Sequence, residues 1–319
     1  MNENVLNKIN RALERAKTTD YATSAPVTIE ALQKRLAEEL DWIDADPGRE
    51  SLIVLMYELV SEMRRSHIVV NPGYYLFPYS YLFFLTGVTR ANPVEWNLPF
   101  SCFTGLVYDE AVIPFEAGTG CLEVARKVFS GRENEFVSET EPGLFEITFI
   151  DGEKLRKIKL RIKTNANLDR FSRTIKDGWH TLDKATLKLF SRGATDGTIF
   201  FESDEMRKWL FDFDPESMSD LVLLNAIHSP GRMQLFEKIL AGKRSPDTIT
   251  VYEDAAINRV LRESYGVPVY QEQAILLGDK SGGPKFPPFQ NLVPKGHSIG
   301  CTMMAVEALW PWRNKTKLK

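Results

Sequence analysis

The side chains best placed to do chemistry are concentrated in the run Lys157-Ile-Lys-Leu-Arg-Ile-Lys163. Strict alternation puts Ile158, Leu160 and Ile162 on one face of a strand and Lys157, Lys159, Arg161 and Lys163 on the other. Arg170, Arg173 and Lys176 extend the basic character, and Asp169 is the sole acid between positions 154 and 176. Closely spaced cations on one face suit phosphate contacts, because each one that neutralises a phosphate releases condensed counterions. The plain structural alternative is a solvated edge strand, whose lysines keep it from pairing with another chain.

A second concentration is Ser191-Arg-Gly-Ala-Thr-Asp-Gly-Thr-Ile-Phe-Phe-Glu-Ser203, where a polar turn holding Arg192 and Gly193 leads into an apolar run. Backbone amides of such a turn can hold a phosphate, but no GK[ST] follows and the spacing is not that of a P-loop, so a generic turn accounts for it equally. His228-Ser-Pro-Gly231 and Tyr265-Gly-Val-Pro-Val-Tyr-Gln-Glu-Gln273 carry polar groups without a recognised catalytic spacing. Cys102, Cys121 and Cys301 form no CxxC, and His67, His180, His228 and His297 form no HExxH, so no metal site of the Cys/His type is expected.

The elements that must carry these residues divide into an α+β part and a helical part. Residues 1–27 read as a polar extension; Thr28 caps a helix with Leu32, Leu36, Leu40 and Ile43 on one stripe. A second helix starts near Ser51, and Ile68 to Val70 form a short strand that meets Asn71-Pro72-Gly73. Residues 74–87 are expected to form a buried helix, with Pro78 in its first turn. A strand at 111–115 and a helix at 121–129 follow, then an acidic surface loop over 131–143. A hairpin around Asp151-Gly152 pairs 145–150 with 157–163. Beyond Trp179 the periodicity is helical, over 206–211, 219–227, 234–240 and 254–264, and residues 281–296 read as a Gly/Pro-rich loop.

The balance of 40 Lys and Arg against 43 Asp and Glu gives a net charge of −3, which removes a basic pI as an argument for nucleic-acid binding but permits a local patch. The first residues hold no apolar segment of signal-peptide type, and the longest apolar run, residues 74–88, is broken by Pro78 and Ser80. A cytoplasmic protein with no membrane partner is expected; composition leaves the oligomeric state open.

Taken in order, these segments resemble the polymerase module of the C-family bacterial DNA polymerases, the family of the DNA polymerase III alpha subunit. Residues 51–103, with HIVVNPGYYLFPYSYLFFLTGVTRANPVEWNLPFSCF, are similar to the family's palm segment around its GPGRGSAAGS motif. Residues 191–233, with SRGATDGTIFFES, EMRKWL and SDLVLLNAIHSPGRM, are similar to its SRGDTTGVFQLES block and ALYRPGPM-like run. YGVPVYQEQ resembles YGVIVYQEQ, and Lys295-Gly-His-Ser298 stands where the family has Lys-Ser-His. The resemblance spans about residues 30–310. It implies a polymerase-beta-like nucleotidyltransferase palm over 28–178, mostly helical fingers over 179–319, and a palm-and-fingers remnant standing alone. The implied nucleotide loop keeps Gly73, Ser80, Arg192 and Gly193.

The departures from the family pattern bear on activity. Tyr74, Tyr75, Phe77, Pro78 and Tyr79 occupy the palm loop where the family has small and cationic residues, so bulky rings are expected to fill the space a triphosphate would use. The family's P-D-x-D carboxylates have no counterpart in Tyr108-Asp-Glu-Ala-Val-Ile-Pro-Phe-Glu-Ala-Gly118, where Glu116 is the one acid near the strand end. The third family carboxylate lies in K-F-D-F-L-G-L, which aligns Arg161 with a metal-binding Asp. Two-metal phosphoryl transfer needs clustered carboxylates. A like charge at 4 Å repels an ion by roughly 1 to 4 kcal/mol even when screened.

The expectation is therefore a catalytically inactive polymerase-like protein that uses no cofactor. Mg would enter only with an intact carboxylate set. Nucleic acid would bind through Lys157, Lys159, Arg161, Lys163, Arg170 and Arg173, with DNA and replication or repair proteins as partners. Two alternatives stay open: a protein-interaction module that binds no DNA, and an active nucleotidyltransferase with rearranged carboxylates at Glu116, Asp109 or Glu110.

Overall fold

A computed structural model describes residues 27–104, 112–130, 135–151, 154–170, 182–278 and 292–309. The chain divides into two compact units, Met1–Gly178 and Trp179–Lys319. It is mixed α and β, mostly helical, with one four-stranded sheet in the first unit. No described helix is long and apolar enough to cross a membrane.

In the first unit, α1 (Ile29–Asp44) starts at Thr28, whose hydroxyl accepts from the Ala31 amide at 3.1 Å. Leu32 and Ile43 are buried from its stripe. The following helix, α2 (Pro47–Arg65), buries Leu52, Leu55, Met56, Leu59 and Met63, and each such side chain contributes about 1.5–3 kcal/mol of transfer energy. The expected helix over residues 74–87 is instead a 3-10 turn, Phe77–Tyr79, followed by the short helix α3 (Tyr81–Thr86). Pro78 stands inside the tight turn, and the Ser80 hydroxyl accepts from the Phe83 amide at 3.2 Å, so the chain breaks there and restarts. A further turn of helix, α4 (Ser101–Thr104), completes this layer.

The strands are β1 (Val112–Ala117), β2 (Glu135–Glu141), β3 (Leu144–Asp151) and β4 (Lys154–Thr164), in the order β1-β4-β3-β2. β4 runs parallel to β1 and antiparallel to β3, which makes the basic strand an interior one. The edge-strand reading of its lysines is thereby corrected: alternation of residue types records the two faces of a strand but not its lateral neighbours. The expected acidic loop at 131–143 is also corrected, because β2 lies within it as the sheet's edge, paired to β3. Ile68 to Val70 contribute only a single bridge, Val70 to Ala117. Between β1 and β2, α5 (Cys121–Ser130) packs with α2 over the inner face, which buries Ile113, Phe115, Ala117, Phe145, Ile147, Leu160 and Ile162.

The second unit is helical: α6 (Lys184–Ser191), α7 (Asp204–Phe213), α8 (Met218–Ile227), α9 (Phe236–Arg244), α10 (Ala255–Leu261), α11 (Gln271–Leu277) and α12 (Lys295–Leu309). Leu221, Val222, Leu223, Leu224, Ala226 and Ile227 are all buried, so α8 is apolar around its circumference and packs against α12 at the centre. Lys295 and Gly296 open α12 rather than ending the loop expected over 281–296, and residues 281–291 of that loop lie outside the described residues.

Candidate functional site

On the outer sheet face, β4 presents Lys157, Lys159, Arg161 and Lys163 opposite the buried Leu160 and Ile162. The cations are not alone there. Lys157 pairs with Glu146 of β3 at 2.8 Å, and Arg161 with Glu141 of β2 at 3.0 Å. Lys157, first by hydrogen bonding and then through its charge together with Lys159, holds the Glu146 carboxyl below the usual range. Lys159 and Lys163 make no ion pair among the described residues, although Lys163 stands in register with Glu116 of β1. Arg170 ends the 3-10 turn Ala166–Arg170 after β4, and Arg173 lies outside the described residues. The face is a mixed array, with Lys159 in register with Glu146 and Lys163 with Glu116, rather than a continuous cationic stripe.

The loop after the Val70 bridge is closed by its own side chains. Asn71 donates its amide to the Glu116 carbonyl at 3.0 Å and its side-chain N–H to Glu116 Oε2 at 2.6 Å, which fixes the loop to the end of β1. The Gly73 amide donates back to Asn71 Oδ1 at 3.2 Å, a tight Asx turn. Phe77 packs edge-on against Phe83 and Phe115, with ring centroids 5.3 and 5.8 Å apart, and Leu76 to Ser80 are buried. Ser80 therefore sits in the core.

Glu39 seals this loop. It is 1% exposed and accepts from the Tyr81 amide at 2.6 Å, the Leu82 amide at 2.9 Å, Ser80 Oγ at 2.8 Å and Arg35 Nε at 2.8 Å. Burial raises its pKa, against the pull of Arg35 and the two amides. Arg35 continues to the carbonyls of Tyr79 and Leu98, at 2.7 and 2.9 Å, and its guanidinium lies over Phe100. An internal carboxylate thus takes the amide donors that open α3. The sequence reading missed Glu39, and a signal was present: it lies seven residues after Leu32 and four before Ile43, a charged residue on a buried helical stripe.

Glu116, the weak catalytic candidate, is half-buried and tied to Asn71. Burial, and secondarily the charge of Glu116, pushes the Tyr74 phenol up. Asp169 accepts from the Thr119 amide at 2.9 Å and the Thr119 hydroxyl at 2.5 Å. Among the described residues no three His, Cys, Asp or Glu side chains are grouped to hold a metal ion. Asp109 and Glu110 lie outside the described residues.

In the second unit, Arg192 and Gly193 end α6. The Gly193 amide bonds to Phe190 O at 2.8 Å and that of Ala194 to Leu189 O at 2.9 Å. Gly193 has φ 66° and lies against Arg207, which makes it a helix C-terminal glycine. His228 stacks edge-on to Trp209 with Nε2 3.3 Å from Ser203 Oγ, and burial lowers its pKa. In the YGVPVYQEQ segment, Gln273 Oε1 accepts from the amides of Val269 and Tyr270 at 2.9 and 3.0 Å. Glu272 accepts from the Lys295 amide at 2.8 Å, and Lys295 Nζ reaches Glu263 at 2.6 Å. Gly266 is required there: its φ is 76°, and a Cβ would fall 2.8 Å from Ile249.

Comparison with known proteins gives a consistent picture. Residues 153–285 match the bacterial DNA polymerase III alpha subunit finger domain. The match begins just ahead of β4 and runs beyond α11. The DNA polymerase III subunit alpha of Borreliella burgdorferi is 33% identical over 145 residues, 45% of this chain and 12% of that protein. Its counterpart in Halalkalibacterium halodurans is 30% identical over 141 residues, 44% and 12% respectively. That of Treponema pallidum is 35% identical over 101 residues, 32% and 8%. The matched segment therefore spans about an eighth or less of the length of these relatives.

Proposed function

We propose that this chain, a partial relative of the DNA polymerase III alpha subunit, is a non-catalytic protein that contacts DNA through the outer face of its sheet and serves in DNA replication or repair. The four-stranded sheet backed by α2 and α5 is read as a reduced polymerase-beta-like palm, and the helical unit as fingers. The bacterial cytoplasm is its workplace, with DNA and replication proteins as partners.

The observation that carries the non-catalytic part is the closed loop. Glu39 consumes the Tyr81 and Leu82 amides while Phe77 fills the space beneath them. Removing that carboxylate from its partners to admit a triphosphate would strip the part-buried Arg35 of its counter-ion, at a cost of about 3–5 kcal/mol. Arg161 adds to this, since it stands where the family resemblance puts a metal ligand and is committed to Glu141.

The DNA-contact part is supported by Lys159 and Lys163, which form no ion pair among the described residues. Binding of primed DNA should weaken with salt, and Lys159→Glu with Lys163→Glu should flatten the log-log salt slope by roughly two. Affinity and slope unchanged by that double reversal would overturn the assignment.

A further inference from the structure

We infer that Glu146 and Glu141 are built-in competitors for DNA on the outer sheet face: they occupy Lys157 and Arg161 in place of phosphates, so the intact face binds DNA weakly and loss of these acids strengthens binding. This rests on the DNA-contact reading above. Glu146 accepts from Lys157 Nζ at 2.8 Å and stands in register with Lys159, so one carboxylate faces two lysines. Directly opposed residues of antiparallel strands have Cβ atoms about 5 Å apart and diagonal ones about 7–8 Å, within reach of long side chains. The lowered Glu146 carboxyl, owed first to the Lys157 bond and then to both lysine charges, keeps this acid ionised at neutral pH.

A bulge in β2 delivers the second acid. Pairing with β3 advances residue for residue from Glu135–Phe149 to Glu139–Phe145, and then Glu141, not Thr140, stands opposite Leu144. Leu144 is in turn opposite Arg161, so the extra residue sets Glu141 in the row of Arg161 two strands away, with Oε2 3.0 Å from Nη2. Unbroken register would put the uncharged Thr140 in that place. The bulge is pinned from the other side of the sheet. Glu139 accepts from Arg126 Nε and Nη2 at 2.7 and 2.9 Å and from the Gly143 amide at 2.8 Å.

A carboxylate and a phosphate compete for the same N–H donors. Both ion pairs are open to solvent, with the Lys157 and Glu141 side chains 53% and 61% exposed, so each is weak enough for a phosphate to displace. Displacement leaves the freed carboxylate beside the incoming phosphate, and the like charges repel. A cation already matched by a carboxylate also adds little net charge, so it releases few counterions from the DNA. The two acids therefore lower both the affinity and its salt dependence. Had they served only as cross-strand staples, removing them would cost stability and leave DNA binding as it was.

Fluorescence anisotropy of the full chain with a labelled primer–template DNA, over a series of salt concentrations, tests this. Glu146→Gln with Glu141→Gln keeps the shape and an acceptor oxygen and removes both charges. It should bind about tenfold tighter than the unaltered chain at the same salt, and steepen the log-log salt slope by roughly two. Glu30→Gln with Glu123→Gln removes the same charge from exposed positions on α1 and α5, and should leave affinity within about twofold. Thermal melting shows that each variant is folded. Where the double variant melts early, Glu146→Gln alone carries the test, with binding about threefold tighter. Unchanged or weaker binding by the folded Gln variant overturns the inference. The DNA-contact reading still stands if Lys159→Glu with Lys163→Glu abolishes binding in the same series. Equal tightening by the Glu30 and Glu123 pair also overturns the inference, since net charge alone then accounts for the gain. If neither the unaltered chain nor the Gln variant binds, the DNA-contact reading itself has failed.

Discussion

The loop at residues 71–82 and the outer face of β4 both occupy places where the resemblance to C-family polymerases implies catalytic parts. The two regions are built in opposite ways. The loop is filled: apolar rings pack beneath it, and a carboxylate from α1 takes its amides in a buried site where solvent screens little. The strand face is exposed and carries cations and carboxylates side by side, and solvent screens what its ions do. The same type of group, a carboxylate facing cations and amides, is structural in the first region and weakly coupled in the second. Burial decides which.

The largest expected effect breaks the buried side of this contrast. Glu39→Ala takes the counter-ion from Arg35 and the acceptor from two amides and Ser80 Oγ, and should lower unfolding free energy by about 3–5 kcal/mol. A urea titration would read this as a large drop in midpoint; a drop under about 1 kcal/mol would mean the network is dispensable. Glu39→Gln should fall between, since its amide oxygen still accepts.

On the exposed side the effects shrink. Lys157→Ala or Arg161→Ala removes one surface ion pair, and each should change stability by less than about 1 kcal/mol. A comparable loss in the two regions would erase the contrast. Between β2 and α5 the effect is visible as titration. The Arg126 guanidinium meets Glu139 through two hydrogen bonds, 2.7 and 2.9 Å, and with the Gly143 amide holds its carboxyl down to about 2. The folded pKa lies below the unfolded one, so this contribution is present above pH 4.5 and is lost as pH falls toward 2. Carboxyl NMR should show Glu139 ionised well below pH 4, and Arg126→Ala should bring it back toward its ordinary value.

How far the sequence foretold these regions differs as well. The two faces of β4, the α1 stripe, the Asp151-Gly152 hairpin and most helices of the second unit follow from local periodicity and turn chemistry, and were legible. The interior position of β4 was not, because strand order depends on β1 arriving from 47 residues earlier (Val112 beside Lys159) as a parallel neighbour. β2 escaped notice because Glu135–Glu141 is a polar edge strand, held by backbone pairing to β3 and carrying little hydrophobic signal of its own. In the loop, the run of aromatic residues announced that space was filled. The acid that completes the closure lies 41 positions before Ser80 and was visible only as a charge on the wrong face of a helix.

Primer extension on a primed template with magnesium or manganese tests the central claim most directly. A loop closed by Glu39 and Phe77, next to a strand whose Arg161 is paired with Glu141, predicts no incorporation above background by the full chain. Template-directed extension that is lost on Glu116→Gln would contradict that account and return the sheet to a catalytic role.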